Sequence, residues 1–306
     1  MPRGKRMWYN PRMLSRSVII FLCLIVSAGC SQKDAPPKDK LVGGGGAILI
    51  GLIPEHNIFK QLERYEPLTN YLGGKIGTRI ALKILPRYGN IIDNFKIAGM
   101  DGAFFGSFTY TLAHAKLGVE VLARPVWLDN SSTYHGLIFV RKDSGIKTIR
   151  DMKGKRFAFV DKATTAGYLL PLRYFHENGV EWKKYLKEGY FAGTHEDAIY
   201  DVLNKKADAG AAKNTVFNRI AVAEPRILKE LVVLERSLDV PENGLALRKD
   251  IDELLRTRMK EALLNMHQDP EGMKVLKQFG AQRFIETGNA DYDVVVTPSG
   301  SCAANV

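Results

Sequence analysis

Residues 157–171 read FAFVDKATTAGYLLP, a short apolar strand pattern that passes through Asp161 and two threonines directly into a helical pattern. A helix start presents backbone N–H groups without intrahelical partners and the positive end of the helix dipole. The hydroxyls of Thr164 and Thr165 add hydrogen-bond donors at the same point, and Ala166 follows them. This geometry suits a tetrahedral oxyanion, although threonines also begin helices as plain N-caps.

The same order of a short apolar run followed by a helical period recurs on both sides of this stretch. Such alternation is typical of βα units around a largely parallel sheet. We expect one α/β lobe from residues 47–134 and 240–306, and a second from residues 135–239. The chain then crosses between the lobes twice, near residues 131–136 and 237–243, and a ligand lies in the cleft between them.

Three side chains in the first half of the chain are further candidates for this cleft. Residues 102–110, GAFFGSFTY, form a strand pattern that ends in a Gly-Ser turn and a helix, so Ser107 would grip a ligand from the side opposite the threonines. Tyr88, in a turn at residues 86–89, and Tyr134, at the first crossing, would close over a small organic substituent. Each tyrosine fits simple packing equally well.

His195 and Asp208 are the candidates in the second half of the chain. His195 belongs to a Gly-Thr-His loop that opens a helix, and a ring nitrogen there can donate to an oxyanion. An isolated histidine is also a common helix cap or surface residue. Asp208 lies in the strand pattern ADAG, where its carboxylate would repel an anionic ligand unless it is paired or accepts the ligand's own proton.

The N-terminal sequence predicts export and lipid anchoring. Basic residues precede the apolar run SVIIFLCLIV at 17–26, which is short for a membrane span and typical of a signal peptide. The Ser-Ala-Gly-Cys that follows resembles the lipobox of bacterial lipoproteins, so we expect residues 1–29 to be removed and Cys30 to be lipidated. Residues 30–46 have the composition of a flexible tether. An uncleaved N-terminal membrane anchor is the alternative.

The composition argues against nucleic-acid binding and against catalysis. Subtracting the five basic residues of the signal segment from the net charge of +11 leaves +6, and the other Lys and Arg are scattered among acids. Only Cys302 remains as a thiol in the mature chain, so no internal disulfide forms. Because the sequence lacks a nucleophile elbow, paired carboxylates and metal-spaced ligands, we expect no catalytic residue, metal or cofactor.

Four segments together resemble the phosphate-, phosphite- and phosphonate-binding proteins of ABC importers: GLIPEHN at 51–57, FFGSFTY at 104–110, the block at 134–171, and GTHEDAIYDVLNKKADAG at 193–210. The resemblance implies a type II periplasmic-binding-protein fold, two α/β lobes joined by a double-crossover hinge. It also implies that ligand oxygens are held by the threonine helix start, by His195 and by a tyrosine such as Tyr134.

This chain departs from the pattern of that family at two places. Relatives usually carry Ser-Thr-Ser-Gly where this chain has Thr-Thr-Ala-Gly, so one hydroxyl donor is absent at Ala166. Pro is common in relatives where Ser107 stands. Val216, which occupies the region of a substituent-recognising group, offers nothing to a cationic amine, so we expect phosphite, phosphate or a small alkyl phosphonate rather than an aminoalkyl phosphonate.

The sequence therefore predicts a monomeric, lipid-anchored periplasmic protein of a bacterium. It would bind a phosphonate, phosphite or phosphate and deliver it to an ABC permease and ATPase complex. An enzyme that uses Thr165 or Ser107 as nucleophile and His195 as base is a weaker interpretation. Two alternatives remain open, a ligand sensor that partners a membrane histidine kinase and a binder of another small anion.

Overall fold

The computed structural model describes residues 46–85, 88 and 91–295. The expected signal peptide, the lipidation site Cys30, the tether apart from its last residue, and Cys302 lie outside the described residues. Contacts among the described residues place them in one compact unit within Gly43–Val306. No helix in this part of the chain is both long enough and apolar enough to cross a bilayer.

The first lobe is built on a six-stranded sheet with the order β13-β4-β12-β3-β1-β2. Strand β1 is parallel to β2 and β3, whereas β12 and β13 run antiparallel to their neighbours. The strands are β1 (Ile48–Leu52), β2 (Ile80–Ile84), β3 (Gly102–Phe105), β4 (Glu120–Trp127), β12 (Gly244–Leu247) and β13 (Ala281–Glu286). The last two strands come from the C-terminal part of the chain, which returns to this lobe.

Five helices accompany this sheet: α1 (Ile58–Ile76), α2 (Ile91–Ile97), α3 (Ser107–Leu117), α9 (Glu253–Leu264) and α10 (Pro270–Phe279). Helix α1 begins at Asn57, whose side chain accepts the Phe59 N–H, and ends at Gly77 in the left-handed conformation. The Tyr65 ring on its buried face packs edge-on against Phe104 of the sheet and Phe279 of α10. This contact fixes α1 beside the cleft.

The second lobe is built on a five-stranded sheet with the order β10-β6-β9-β7-β8. Its strands are β6 (Gly136–Arg141), β7 (Arg156–Phe159), β8 (Glu188–Phe191), β9 (Ala209–Lys213) and β10 (Leu231–Arg236). Its helices are α4 (Leu170–Glu177), α5 (Trp182–Tyr185), α6 (His195–Leu203), α7 (Asn214–Ala223) and α8 (Arg226–Glu230). Phe157, Phe159 and Phe175 pack together in one of its cores.

Two short strands connect the lobes. Strand β5 (Thr133–Tyr134) pairs antiparallel with β11 (Val240–Pro241), and each belongs to one passage of the chain between the sheets. Strands β1 and β3 of the first lobe and β7 and β9 of the second end on the side where the lobes meet. In open α/β sheets, ligands bind beyond the carboxyl ends of the parallel strands, so a binding site is expected on this side.

Close packing at Gly167 gives a test of how the threonine segment is held. A Cβ at this position would overlap the Val160 side chain, so we expect Gly167→Ala to cost about 1–3 kcal/mol of unfolding free energy through overpacking. Gly74 is an exposed glycine within α1 whose Cβ would meet nothing within 4 Å. Gly74→Ala should therefore stabilise by about 0.5–1 kcal/mol. The measurement is urea unfolding. Equal free energies of unfolding for the two variants would contradict the close contact between Gly167 and Val160.

Candidate functional site

A cavity lies between the lobes next to the β5–β11 connection. The space inside it that a water-sized sphere can reach is about 10 Å³, roughly the room that one water molecule needs. The first lobe and the connecting strands contribute Ile53, Glu55, Tyr88, Gly106, Thr109, Tyr134 and Asn243, and the second lobe contributes Ala163, Thr164, Thr165, Ala166, His195 and Lys213. Tyr88, Tyr134, Thr164, Thr165, Ala166 and His195, which we singled out from the sequence, are thus brought together.

The threonine segment is a rigid corner after β7. The Asp161 carboxylate accepts the Ala163 N–H, and the Thr164 hydroxyl donates to the Asp161 carbonyl. Residues Thr165–Leu169 then form a π-helical turn rather than the plain α-helix start that the sequence suggested. Such wider turns occur frequently at functional sites. Both threonines are buried at the cavity wall.

The start of α3 meets this corner from the opposite lobe. The Phe108 N–H donates to the Thr165 hydroxyl oxygen over 2.9 Å, a direct hydrogen bond between the lobes. The Ser107 hydroxyl donates to the Pro241 carbonyl over 2.5 Å and is fully buried. Its hydroxyl is therefore used to tie α3 to β11, and Gly106 and Thr109 rather than Ser107 line the cavity. This differs from the direct grip expected of Ser107.

His195 is the first residue of α6, and its ring is oriented by the backbone of β9. The Lys213 N–H donates to the His195 Nδ1 over 3.2 Å. In a neutral ring the proton then lies on Nε2, which can donate. Burial lowers the pKa of His195 to about 4, despite the nearby Glu55. At neutral pH His195 is therefore an uncharged donor.

Two buried tyrosines, Tyr88 and Tyr134, also line the cavity. The Tyr88 ring lies edge-on to His195 with its centroid 6.1 Å away, and Tyr88 is 2% exposed. Its hydroxyl has no hydrogen-bond partner among the described residues, which is costly for a buried polar group. Burial raises the pKa of Tyr88 well above its usual range, so the hydroxyl stays protonated. Tyr134 Oη accepts the Ser107 N–H over 3.4 Å.

A buried charge cluster that the sequence did not reveal lies beside these donors. Lys213 at the end of β9 places its ammonium 3.1 Å from the Glu55 carboxylate of the first lobe, and it also contacts the Glu242 carboxylate after β11. The Asn243 side-chain oxygen accepts from the same ammonium, which lies 4.3 Å from the centre of the Tyr134 ring. We name these four charged or polar residues (Glu55, Lys213, Glu242, Asn243) the Lys213 cluster.

The protonation states of the Lys213 cluster follow from its geometry. Burial alone would lower the pKa of Lys213, but Glu242 and Glu55 outweigh it and raise that pKa. Burial would raise the pKa of Glu55, but the Lys213 ammonium lowers it below the usual range. The lone lysine that ends the otherwise small and apolar strand AGAAK was the one available sequence signal.

Two residues considered from the sequence lie away from the cavity. Asp208 precedes β9 at the end opposite Lys213, and its carboxylate accepts the Arg156 N–H over 2.8 Å. A strand of this length separates it from the cavity by roughly 15 Å, so we leave Asp208 out of the site. Val216, on α7, is buried in a hydrophobic core and does not line the cavity. Among the described residues, no group of His, Cys, Asp and Glu could hold a metal ion.

Replacing Lys213 by Met tests the cluster. It leaves the Glu55 and Glu242 carboxylates buried without an ammonium, so we expect a loss of about 3–5 kcal/mol of unfolding free energy at pH 7. The exposed Lys206, which pairs with Asp201 at the surface, is the control, and Lys206→Met should cost at most about 1 kcal/mol.

The same variant should show a distinct pH dependence. In the native protein the pKa of Glu55 is depressed, so its contribution is complete above pH 4.5, its unperturbed value, and is lost as the pH falls through the folded-state pKa. In Lys213→Met, Glu55 is free to take up a proton when the pH falls. The deficit relative to the native protein should therefore shrink between pH 7 and pH 4.5, and a constant deficit in urea unfolding would contradict the ion-pair interpretation.

Comparison with known proteins agrees with this architecture. The family model described as "ABC transporter, phosphonate, periplasmic substrate-binding protein" matches residues 50–292. The phosphonates-binding periplasmic protein of Escherichia coli is 26% identical over 239 residues, which cover 76% of this chain and 70% of that protein.

Solved structures share the fold. A binding-protein component of an ABC phosphonate transporter from Pseudomonas aeruginosa superposes with a TM-score of 0.75 at 22% identity, over 85% of this chain and 93% of that one. PhnD1 from Prochlorococcus marinus, in complex with methylphosphonate, gives 0.74 at 20% identity, over 83% and 98%. With its two α/β lobes and double-crossover hinge, the chain belongs to the family of periplasmic substrate-binding proteins of phosphonate ABC transporters.

Proposed function

We propose that this protein is a lipid-anchored binding protein that captures a phosphorus oxyanion, a phosphonate, phosphite or phosphate, between its lobes for import by an ABC transporter. The observation that carries the proposal is the Tyr88 hydroxyl. It is buried, protonated and without a partner among the described residues, and it lines the same cavity as Thr164, Thr165 and His195. A ligand oxygen is the acceptor that this hydroxyl lacks.

The chemistry of the cavity favours a compact oxyanion over other ligands. Tyr88 and the His195 Nε2 are neutral donors on the two sides of the cavity, and the threonine corner adds the positive end of a helical turn. Hydrogen bonds from such donors to an ionised oxygen are shorter and stronger than neutral ones. A tetrahedral group presents oxygens in several directions at once, so it can accept hydrogen bonds from Tyr88, His195 and the threonine corner together.

The Lys213 cluster gives no reason to exclude a cationic substituent. A ligand amine in this cavity would meet the Glu55 carboxylate as well as the Lys213 ammonium, and two carboxylates outnumber the one ammonium in the cluster. Val216 does not line the cavity either. Methylphosphonate, phosphite and 2-aminoethylphosphonate are therefore all ligands to be compared.

The relatives support a transport role rather than an enzymatic one. The matching family model is described as a substrate-binding protein, and the Pseudomonas aeruginosa structure as a binding-protein component, of an ABC phosphonate transporter. In the cavity, the His195 Nδ1 accepts the Lys213 N–H and the Thr165 oxygen accepts the Phe108 N–H. Each is thereby held as part of the cavity wall, and no hydroxyl of the described residues is hydrogen-bonded to the His195 ring. We place the lipid anchor on Cys30, which would keep the protein at the membrane beside its permease.

The exchange Tyr88→Phe isolates the proposed ligand contact. Loss of one hydrogen bond to a charged group should weaken methylphosphonate binding by about 1.5–3 kcal/mol, or about 10- to 150-fold. Stability without ligand should stay the same or rise, because the hydroxyl has no partner there. Calorimetric titration measures the affinity and urea unfolding measures the stability.

Tyr190→Phe is the matched control for this experiment. The Tyr190 hydroxyl donates to Asp201 outside the cavity, so its loss should lower stability and leave affinity unchanged. Equal affinities of Tyr88→Phe and the native protein would remove Tyr88 from the site. If methylphosphonate, phosphite and phosphate all fail to bind the native protein, the proposed ligand class is wrong.

Replacing Cys30 by Ala tests the anchor. Lipidation is expected to hold the native protein in the membrane fraction of cells. Cys30→Ala removes the acceptor thiol. If a signal peptidase still cleaves the variant, it should appear in the soluble periplasmic fraction; otherwise it should remain as an unprocessed precursor. Mass spectrometry of the N-terminal peptide distinguishes these forms. An unmodified cysteine on the mature native chain would contradict the anchor.

A further inference from the structure

The cavity that brings the donors together also contains a carboxylate. Glu55, in the loop between β1 and α1, is buried and lines the cavity with Tyr88, His195 and the threonine corner. Burial is the main cause of the raised pKa of Tyr88, and the Glu55 charge adds to it. Burial lowers the pKa of His195, and the Glu55 charge opposes that lowering. Glu55 therefore acts on the donors that are proposed to hold the ligand.

Only one oxygen of the Glu55 carboxylate is occupied. The Lys213 ammonium donates to Oε1 over 3.1 Å, and the Asn243 side-chain N–H donates to the same oxygen over 2.9 Å. Within the described residues, no hydrogen bond reaches Oε2. Burial would raise the pKa of Glu55, but the Lys213 ammonium keeps the carboxyl ionised, and an ionised carboxylate can only accept hydrogen bonds. Oε2 is therefore an acceptor that lacks a donor.

An ionised carboxylate in the cavity wall distinguishes between oxyanions. An oxyanion that carries a proton on one oxygen can donate a hydrogen bond to Oε2. An oxyanion without a proton would place a negative oxygen against the carboxylate, and such contacts repel strongly in a buried site. The space that a water-sized sphere can reach is only about 10 Å³, so no layer of water separates a ligand oxygen in it from the wall.

We propose that Glu55 determines specificity for a protonated oxyanion. Its Oε2 accepts the hydrogen of a P–OH group on a monoanionic phosphorus ligand and repels an oxyanion that has no proton, such as a sulfonate. The inference rests on the proposed function, because it places the other ligand oxygens at Tyr88, Thr165 and His195. The donors then hold the charged oxygens and the carboxylate holds the hydroxyl. Acceptance of the ligand's own proton, considered for Asp208 from the sequence, thus passes to Glu55.

Methylphosphonate and methanesulfonate separate the effect of the proton from those of charge and shape. At mildly acidic pH both are tetrahedral monoanions with a methyl substituent, but only methylphosphonate carries a hydroxyl hydrogen. Calorimetric titration of the native protein should show at least about tenfold tighter binding of methylphosphonate, the effect of one hydrogen bond to a charged group. Glu55→Gln keeps an oxygen for Lys213 and Asn243 but replaces Oε2 by an N–H donor. Methanesulfonate should then bind more tightly than it does to the native protein, and the preference should fall by at least about tenfold.

Glu242→Gln is the matched control. Glu242 is the other buried carboxylate that pairs with Lys213, but it does not line the cavity. The exchange removes the same charge from the Lys213 cluster without removing an acceptor for the ligand. Its effect on affinity should be the same for both ligands, so the preference for methylphosphonate should stay within about threefold of the native one.

The pH dependence of binding to the native protein is a second measurement that needs no variant. The titratable groups that interact with the Glu55 charge are Lys213, His56, His195, Tyr65, Tyr88 and Arg219. Burial raises the pKa of both tyrosines and lowers the pKa values of His195, His56 and Arg219 to about 4, about 3 and about 10, while the carboxylates raise that of Lys213. None of these six titrates around neutral pH, where methylphosphonate loses its second proton. Methylphosphonate affinity should therefore fall as the pH rises, by up to about tenfold per pH unit, because only the protonated fraction binds. Methanesulfonate affinity should stay constant.

The possible failures are distinguishable. If the native protein binds methylphosphonate and methanesulfonate equally, or binds methylphosphonate more tightly as the pH rises, Glu55 does not accept a ligand proton and the proposed function stands. If Glu55→Gln weakens both ligands equally, Glu55 only supports the fold and the inference is again overturned. A loss confined to 2-aminoethylphosphonate would overturn it too, because Glu55 would then bind an amine. If the native protein binds no phosphorus oxyanion, both the proposed function and the inference fail.

Discussion

The arrangement of the site depends on one buried ammonium. Lys213 ends a fully buried strand of the second lobe, and its charge is held by Glu55 of the first lobe and Glu242 beside the connecting strands. Without these carboxylates, the buried lysine would lose its charge or the folded state would be destabilised. The charged form of Lys213 therefore depends on the lobes meeting so that Glu55 and Glu242 reach it. The backbone N–H of the same residue orients His195, which links the ion pair directly to the donors of the cavity.

This coupling explains how ligand binding and lobe closure support each other. The Phe108–Thr165 hydrogen bond and the Lys213 cluster already join the lobes, while the Tyr88 hydroxyl lacks a partner among the described residues. A ligand oxygen at this position stabilises the closed arrangement by an amount that equals the ligand's preference for that arrangement over an open one.

Much of the fold and part of the site could be predicted from the sequence, and the failures have physical causes. Apolar runs in the sequence predict strands β1, β3, β7 and β9, because both faces of these strands are buried. Strands β8 and β13 have no such apolar run, because they lie at sheet edges and are only partly buried. Thr164 and His195, which line the cavity, could be singled out because helix starts have a local signature. The Lys213–Glu55 pair joins residues 158 positions apart, and no local pattern predicts such a contact. Asp208 lies away from the cavity because it stands at the amino end of its strand, whereas sites form at the carboxyl ends.

The most direct measurement is a crystal structure of the protein with methylphosphonate. The account predicts phosphonate oxygens within about 2.6–3.2 Å of the Tyr88 hydroxyl and of the His195 Nε2, with Thr164 or Thr165 on the third side, and the Lys213–Glu55 contact intact. Density for the ligand elsewhere, or a Tyr88 hydroxyl that still lacks a partner beside a bound ligand, would contradict it.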